Sequence, residues 1–325
     1  MASSLDWKVP PEIAPKPADY AYDLDKALSA VVGLTANIPA DAFTADILGT
    51  ERGGNGVIIR DDGLVLTIGY LITEASEVWL QLADGRTVAG DVVGYDQETG
   101  FGLVQALARL NMPALQLGDS TDAVPGLRVV SAGAGGASHS VASRVVARQE
   151  FAGYWEYVLD EAIFTAPAHP LWGGSGLIGP EGHLLGIGSL QLEQSSAEGE
   201  GVPINMYVPT DLLKPVLDDM LTMGQPNRPP RPWLGLYATE VEDHVVIAGV
   251  AEKGPAKRAR LKEGDIVQSV GGMKIEGLAG LFRTVWSMGK AGVEVPMTVV
   301  RDGRPMDLTV TSGDRNRFLK GPSLH

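Results

Sequence analysis

Apolar residues come along this chain in short runs that are bounded by turn-forming residues. Several neighbouring runs are joined by short segments such as Asp61-Asp62-Gly63 and Pro180-Glu181-Gly182, which favour tight turns. This pattern predicts β-hairpins rather than a helical bundle. The paired runs are Asn55–Ile59 with Leu64–Thr67, Val78–Leu82 with Val88–Val93, and Leu177–Ile178 with Leu184–Ile187.

Three segments carry the spacing of apolar residues that is typical of amphipathic helices. Asp23–Val32 predicts a short helix with Asp23 near its N-cap, and Leu278–Met288 predicts another. Asp211–Met223 predicts a third helix with Thr210 as N-cap, and Pro215 falls in its first turns, where proline is best tolerated.

Composition supports a chain rich in turns and excludes several kinds of partner. The 325 residues include 41 Gly, 21 Pro and no Cys, so disulfides, thiolate metal sites and a cysteine nucleophile are excluded. The net charge of −14, from 26 basic and 40 acidic residues, disfavours binding to nucleic acid or anionic lipid. No metal-ligand cluster and no cofactor motif is visible, so none is expected.

Neither a membrane span nor a secretory signal is expected in the sequence as it stands. No apolar run has the length of a membrane helix, and residues 1–20 lack a basic segment followed by an apolar one. The protein is therefore expected in the cytoplasm if Met1 is native, or beyond the inner membrane if a signal peptide has been trimmed.

The Pro-rich segment Gly224–Pro232 reads as a linker and divides the chain. We predict an N-terminal extension with a short helix at 1–32, a β domain at 33–223, the linker at 224–232, and a second domain with a C-terminal tail at 233–325.

Three motifs in the first domain resemble those of trypsin-like serine proteases of the HtrA/Deg family. They are Asn55–Thr67, Val93–Val104 and the glycine loop with hairpin Pro167–Leu190. The second domain, from Trp233, resembles the PDZ domain that follows these proteases, and Leu261–Val267 carries its L-x-x-G-D-I-V pattern. The resemblance implies a mainly β fold, with a trypsin-like pair of six-stranded β-barrels followed by an α+β PDZ domain.

The catalytic residues of that family are absent from the matching positions. Tyr70 stands at the place of the catalytic His, Gly100 at that of the Asp, and Gly173 at that of the Ser. No histidine precedes His139, so no small shift of the alignment restores an imidazole base. Loss of a full triad costs about 10⁶-fold in turnover. The resemblance thus implies a pseudoprotease.

An alternative alignment places a nucleophile at Ser175, because Gly173-Gly174-Ser175-Gly176 imitates the family's loop once a gap is allowed. This alternative is an active serine endopeptidase with a rebuilt site. Ser175 would then need a base, and His169 and His183 are the nearest histidines in sequence, although neither matches the family's His. Leu171 and Trp172 also replace family residues near the oxyanion site, and aromatic residues in the vacated cleft are expected mainly as packing.

The PDZ resemblance implies that a partner's C-terminal strand adds beside the first strand of the domain. Its carboxylate would lie on the N–H groups of Trp233 to Gly235. The expected peptide-binding residues are Trp233, Leu234, Gly235, Leu236, Tyr237, Leu281 and Val285.

The expected partners are protein C-termini or unfolded polypeptide, and the expected role is that of a scaffold, chaperone-like protein or regulator in bacterial protein quality control. By the same resemblance, the protein is expected in the periplasm or cell envelope if a signal peptide has been trimmed, and a homotrimer is the expected assembly. The remaining hypothesis is that the PDZ domain only packs and regulates assembly.

Overall fold

The computed structural model describes residues 7–195 and 201–320, and these residues form a mainly β protein. The predicted fold class is confirmed, since two closed six-stranded barrels precede a third sheet with helices. No helix in the described part of the chain is long and apolar enough to cross a membrane.

The first barrel closes in the strand order β1-β2-β3-β6-β5-β4, with antiparallel neighbours throughout. All five residues of its third strand are buried, because this strand has covered faces on both sides. The six strands are β1 Val31–Asn37, β2 Glu51–Ile58, β3 Leu64–Ile68, β4 Glu77–Gln81, β5 Thr87–Tyr95 and β6 Phe101–Ala106.

The second barrel repeats this closure in the order β10-β11-β12-β9-β8-β7. Its hairpin of β10 and β11 carries the glycine loop at its entrance and turns at Gly182, which has φ +80° as the sequence pattern requires. The strands are β7 Arg128–Ala132, β8 Ser140–Gly153, β9 Tyr157–Ala166, β10 Gly176–Ile178, β11 Leu184–Ser195 and β12 Gly201–Pro209.

Two of the predicted helices are shorter than the sequence pattern suggested. The helix α1 is Leu24–Leu28, capped by the Asp23 carboxylate, which accepts the Lys26 N–H at 3.0 Å. The prediction that it continues to Val32 is wrong, because Val31 and Val32 are β-branched and open strand β1 instead. The extension predicted at 1–32 therefore runs into the first barrel. Residues Ala45–Leu48 form α2.

The predicted helix at 211–223 is broken in its first half. Residues Thr210–Leu212 form a 3-10 turn, and the α-helix α3 begins only at Leu217 and ends at Met223. Pro215 lacks an N–H and restricts Lys214, so the helix starts after it. Thr210 is no N-cap, since its hydroxyl donates to the Leu184 carbonyl at 3.1 Å.

The third sheet has the order β13-β14-β15-β17-β18, with β16 paired to β15. The predicted helix at 278–288 is present one residue earlier, as Gly277–Ser287, and buries Leu278, Leu281, Phe282 and Val285 against this sheet. The elements are β13 Leu236–Val241, β14 His244–Val250, α4 Pro255–Arg258, β15 Ile266–Val270, β16 Met273–Lys274, α5 Gly277–Ser287, β17 Glu294–Arg301 and β18 Arg304–Thr311.

The described chain divides into two compact units. The first holds both barrels and consists of the chain up to Gln149, Glu161–Asn227 and the segment from Lys320. The second holds Arg228–Leu319 together with Glu150–Asp160, the tip of the hairpin formed by β8 and β9. The second unit thus contains a piece of chain that the sequence assigned to the first domain.

Candidate functional site

The glycine loop is held against the first barrel by the buried side chain of Asn55 on β2. Its amide nitrogen donates to the carbonyls of Leu171 and Gly173 at 2.8 and 3.1 Å, and its amide oxygen accepts the Ala134 N–H at 2.9 Å. Gly174 takes φ +73°, and an added Cβ would stand 1.8 Å from the Asn55 carbonyl oxygen. Only glycine fits there, which fixes the loop in one conformation.

Tyr70 fills the space in front of Gly173. The Tyr70 hydroxyl lies 2.8 Å from the point where a Cβ on Gly173 would stand, and it donates to the Ser189 carbonyl at 3.0 Å. The 3-10 turn that carries Tyr70 is fixed by Arg52, whose guanidinium donates to the Tyr70 carbonyl at 2.7 Å. A side chain at position 173 would therefore collide with the phenol.

Gly100 lies beside the same turn. Its carbonyl accepts the Gly69 N–H at 2.6 Å, and its φ of +84° suits glycine. The structure thus brings Gly100, Tyr70 and Gly173 into one neighbourhood. Asp96, in the turn before Gly100, is only 2% exposed, and its oxygens accept the Thr99 hydroxyl at 2.8 Å and the Glu98 N–H at 3.1 Å. It serves the turn before Gly100.

Ser175 is fully buried behind the loop. Its hydroxyl donates to the Trp172 carbonyl at 2.8 Å, and the Tyr207 phenol oxygen lies 3.3 Å from the same hydroxyl. Its backbone N–H donates to the same Trp172 carbonyl at 3.0 Å. This hydroxyl is a structural bridge inside the second barrel rather than a group presented to a cleft.

His169 is also fully buried, and both of its ring nitrogens are engaged. Nδ1 accepts the Leu171 N–H at 2.9 Å, and Nε2 donates to the His139 carbonyl at 2.7 Å, which fixes the neutral tautomer. Burial lowers the pKa of this imidazole to about 4, against the smaller raising effect of its bond to His139. Trp7 covers the ring at a centroid distance of 5.0 Å. The other candidate base, His183, is a partly exposed residue beside Glu181.

Two backbone N–H groups of the loop are engaged by acceptors within the second barrel. The Leu171 N–H, which the resemblance places where an oxyanion donor is expected, points to His169 Nδ1. The Gly174 N–H donates to the Gly188 carbonyl at 2.8 Å. Stabilisation of an oxyanion needs donors aimed at an empty position in the site, and these two are committed elsewhere.

A cleft of about 380 Å³ remains in front of these residues. Burial raises the pKa of the Tyr70 phenol, so this group stays protonated and uncharged at neutral pH and cannot take a proton from a nucleophile. The cleft can hold an apolar side chain, and the residue in front of Gly173 supplies no base for hydrolysis. Its lining includes Gly33, Gly53, Gly54, Gln81, Ala134, His139, Pro170, Leu171 and Trp172. No group of three metal-ligating side chains is found among the described residues.

In the second unit, three successive N–H groups converge on one carboxylate. The N–H groups of Leu234, Gly235 and Leu236 lie 3.0, 2.7 and 3.2 Å from oxygens of the Glu156 side chain. The cradle begins one residue later than predicted, since the Trp233 N–H donates to the Gly313 carbonyl at 2.9 Å. Trp233 instead packs on Phe318.

The predicted side-chain pocket is a buried cluster. Leu281 and Val285 on α5 are 0% and 1% exposed, and they share this cluster with Leu234, Leu236 and Val158. Tyr237 is partly exposed on β13, where its ring faces Tyr154 at a centroid distance of 6.0 Å. Sequence reasoning missed Glu156, Val158 and Tyr154, because nothing in their local pattern distinguishes this hairpin tip from any other.

Comparison with known proteins identifies both domains. Residues 54–187 match the family model described as a trypsin-like peptidase domain, and residues 232–311 match that of a PDZ domain. A peptidase-type double barrel followed by a PDZ domain defines the class of this protein. This order of domains resembles that of proteases of the HtrA/DegP type.

Curated relatives and solved structures agree with this architecture. The chain is 28% identical over 281 residues to a "Probable periplasmic serine endoprotease DegP-like" of Halomonas elongata, covering 82% of this chain and 58% of that protein. It is 26% identical over 329 residues to the "Serine protease Do-like HtrA" of Bacillus subtilis, covering 91% and 72%. The HtrA-type protease AlgW with a decapeptide shares the fold, with TM-score 0.54 and 23% identity over 92% of this chain and 98% of that one. The chain spans little more than half the length of several of these relatives.

Proposed function

We propose that this protein is a catalytically inactive HtrA-like protease homologue that binds partner polypeptides. The observation that carries the proposal is the position of the Tyr70 hydroxyl, which occupies the space that a serine side chain at Gly173 would need. Tyr70, Gly100 and Gly173 then correspond to the three catalytic positions, and none of them can transfer a proton at neutral pH.

The surroundings of these positions support the same proposal. The Leu171 N–H is bound to His169, so the expected oxyanion donor faces away from the cleft. Without a proton-transferring residue at these three positions, and with the Leu171 donor engaged by His169, a serine-type mechanism lacks its principal sources of rate acceleration.

The proposed binding function rests on the PDZ domain, a module that binds peptides. Its ligands are proposed to be hydrophobic protein C-termini or unfolded chains, bound along β13 with the carboxylate on the N–H groups of Leu234 to Leu236. A scaffold, chaperone-like or regulatory role in protein quality control fits such a binder. A periplasmic location and a trimeric assembly are proposed from the named relatives and the family resemblance.

The rival function, an active endopeptidase with Ser175 as nucleophile, is raised by the names of the relatives. Two observations weigh against it. The hydroxyl of Ser175 is buried in contact with the Trp172 carbonyl and the Tyr207 phenol, and both ring nitrogens of His169 form hydrogen bonds. The test is hydrolysis of unfolded casein by the wild type and by Ser175→Ala. We expect no hydrolysis by either protein. Hydrolysis by the wild type that is lost in Ser175→Ala would establish the rival.

A rebuilt variant supplies the matched control for that assay. Combining Tyr70→His, Gly100→Asp and Gly173→Ser removes the phenol from the serine space and restores the three residue types together. We expect little activity even then, because the Leu171 N–H is held by His169. Strong activity of the triple variant would show that the loop has kept a usable oxyanion site.

A further inference from the structure

The tip of the hairpin between β8 and β9 lies in the second unit, in contact with the elements that make a PDZ peptide site. We call Glu150–Asp160 the docked hairpin. We propose that the docked hairpin is an internal ligand of the PDZ domain, and that a C-terminal peptide binds only by displacing it. This inference rests on the proposed peptide-binding function of the same domain.

The first observation is that Glu156 imitates a terminal carboxylate. Three consecutive N–H groups, from Leu234 to the first residue of β13, point at its two oxygens, which is the arrangement that binds the end of a peptide. The side chain is only 8% exposed, so its carboxylate fills the cradle rather than resting at its edge. A second carboxylate cannot occupy the same three donors.

The second observation is the backbone of Glu156 itself. It has φ +61°, a left-handed conformation that is uncommon for residues other than Gly and Asn. Glycine would form this turn with less strain. A glutamate at this strained position has a clear structural role, because the turn places its side chain in the cradle.

The third observation is that other residues of the docked hairpin make the contacts that a bound peptide strand would make. The Ala238 N–H on β13 donates to the Tyr154 carbonyl at 2.9 Å, so the hairpin lends a main-chain acceptor to this strand. Val158 is 9% exposed and belongs to the apolar cluster that contains Leu281 and Val285. Carboxylate, main chain and apolar side chain are thus all supplied from within the protein.

The fourth observation is a pair of ion pairs at the shoulders of the docked hairpin. Arg283 on α5 contacts the carboxylates of Glu150 and Asp160, one on each side of the tip, and these contacts raise the pKa of Arg283. Arg283 is about half exposed, so each pair alone is weak. The two ion pairs together join both strands of the docked hairpin to helix α5.

The test compares peptide binding by the wild type and by Glu156→Gly in the full chain. Glycine suits φ +61° and removes the competing carboxylate, so the hairpin turn is kept. Glu242→Gly is the matched control, because Glu242 also has positive φ, +54°, but is exposed in the turn between β13 and β14. The probes are fluorescein-labelled hexapeptides with free C-termini ending in Val, Leu, Ile or Phe, and the same peptides amidated at the C-terminus.

We expect Glu156→Gly to bind the best free-acid peptide at least tenfold more tightly than the wild type and Glu242→Gly, with amidated peptides bound weakly by all three. Hydrogen exchange of the wild type should show increased exchange in residues 150–160 when that peptide is added. Equal, measurable affinity of all three proteins would overturn the internal ligand while leaving the peptide site intact. Absence of binding by every protein, including Arg283→Ala with Glu156→Gly combined, would overturn the proposed peptide-binding function as well.

Discussion

The phenol of Tyr70 and the imidazole of His169 show how single side chains decide what this cleft can do. Tyr70 puts a neutral hydroxyl where a nucleophile would stand, and His169 withdraws a backbone donor from the loop. Each group is fixed by hydrogen bonds of ordinary length, so neither needs to rearrange to hold the loop as it is.

His169 predicts how the stability of the protein depends on pH. Its pKa is about 4 when folded and near 6.5 when unfolded, so protonation favours the unfolded chain. The stability that comes from the neutral imidazole is fully present above pH 6.5 and is lost as the pH falls through 4. We expect a loss of about 3 kcal/mol over this interval.

Chemical unfolding at several pH values between 4 and 7 measures this loss. His169→Gln should be less stable than the wild type at pH 7 and should show a smaller decline towards pH 4. His183→Gln is the control, because His183 is exposed and its removal should leave the decline unchanged. An equal decline in all three proteins would show that His169 does not carry the acid sensitivity.

At the scale of elements, the glycine loop depends on its close approach to β2. Gly174→Ala adds a Cβ 1.8 Å from the Asn55 carbonyl oxygen and must keep φ +73°. We expect a loss of at least about 3 kcal/mol in the free energy of unfolding. Gly85→Ala is the control, since its φ is +87° but nothing lies within 4 Å of the added atom. It should cost only about 1 kcal/mol. Equal losses would show that the approach to β2 is looser than described.

The docked hairpin predicts a second dependence on pH, of opposite sense. Burial raises the pKa of Glu156 to about 7, although the three N–H donors and Arg315 oppose this, whereas a released glutamate returns to about 4.5. Docking therefore takes up a proton, so it is favoured below pH 4.5 and weakens as the pH rises through 7. The affinity of the wild type for the peptide probe should increase from pH 5 to pH 8 by about tenfold or more.

The groups around Glu156 do not reverse this sense. The ion pairs of Arg283 raise its pKa, so it stays positive, and burial raises the pKa of the Tyr237 phenol, so it stays neutral. Glu150 and Asp160 pair with Arg283. Glu156→Gly lacks the titrating group, so fluorescence anisotropy should find its peptide affinity nearly constant from pH 5 to pH 8. A parallel increase in this variant would assign the effect to another group.

The sequence predicted the hairpins well because turn residues and runs of apolar residues act locally, whereas the two barrels were predicted from the family resemblance. Helix ends were predicted less well. Val31 and Val32 continue the apolar spacing of the helix before them, and only pairing with β2 reveals that they belong to a strand. Pro215 is compatible with either a first helical turn or a break. The hydroxyl of Thr210 does not cap a helix because it donates to the Leu184 carbonyl, a contact that the local sequence does not indicate.

At the scale of the whole molecule, the sequence predicts which residues stand at the three family positions, but not how the loop around them is held. The engagement of the Leu171 N–H by His169 depends on a loop conformation that no motif specifies. The docking of Glu156 joins residues that are 78 to 80 positions apart in the chain. A local pattern carries no signal for such a contact, which is why the hairpin was assigned to the first domain.

The division of the chain into two units assigns each part of the proposed function to one unit. One unit keeps the protease-like double barrel with its cleft, and the other keeps the PDZ fold with its cradle already filled. Under the proposed function, the first unit is a scaffold without chemistry, and the second is the site where ligands are exchanged.

The most direct test of the central claim, that the barrels carry no catalytic serine, is labelling by a fluorophosphonate. The wild type is incubated with the reagent, and its intact mass is measured beside that of Ser175→Ala. Because Ser175 is buried and no base is in contact with its hydroxyl, we predict an unmodified mass for both proteins. A stoichiometric adduct on the wild type that maps to Ser175 and is absent from Ser175→Ala would contradict the account.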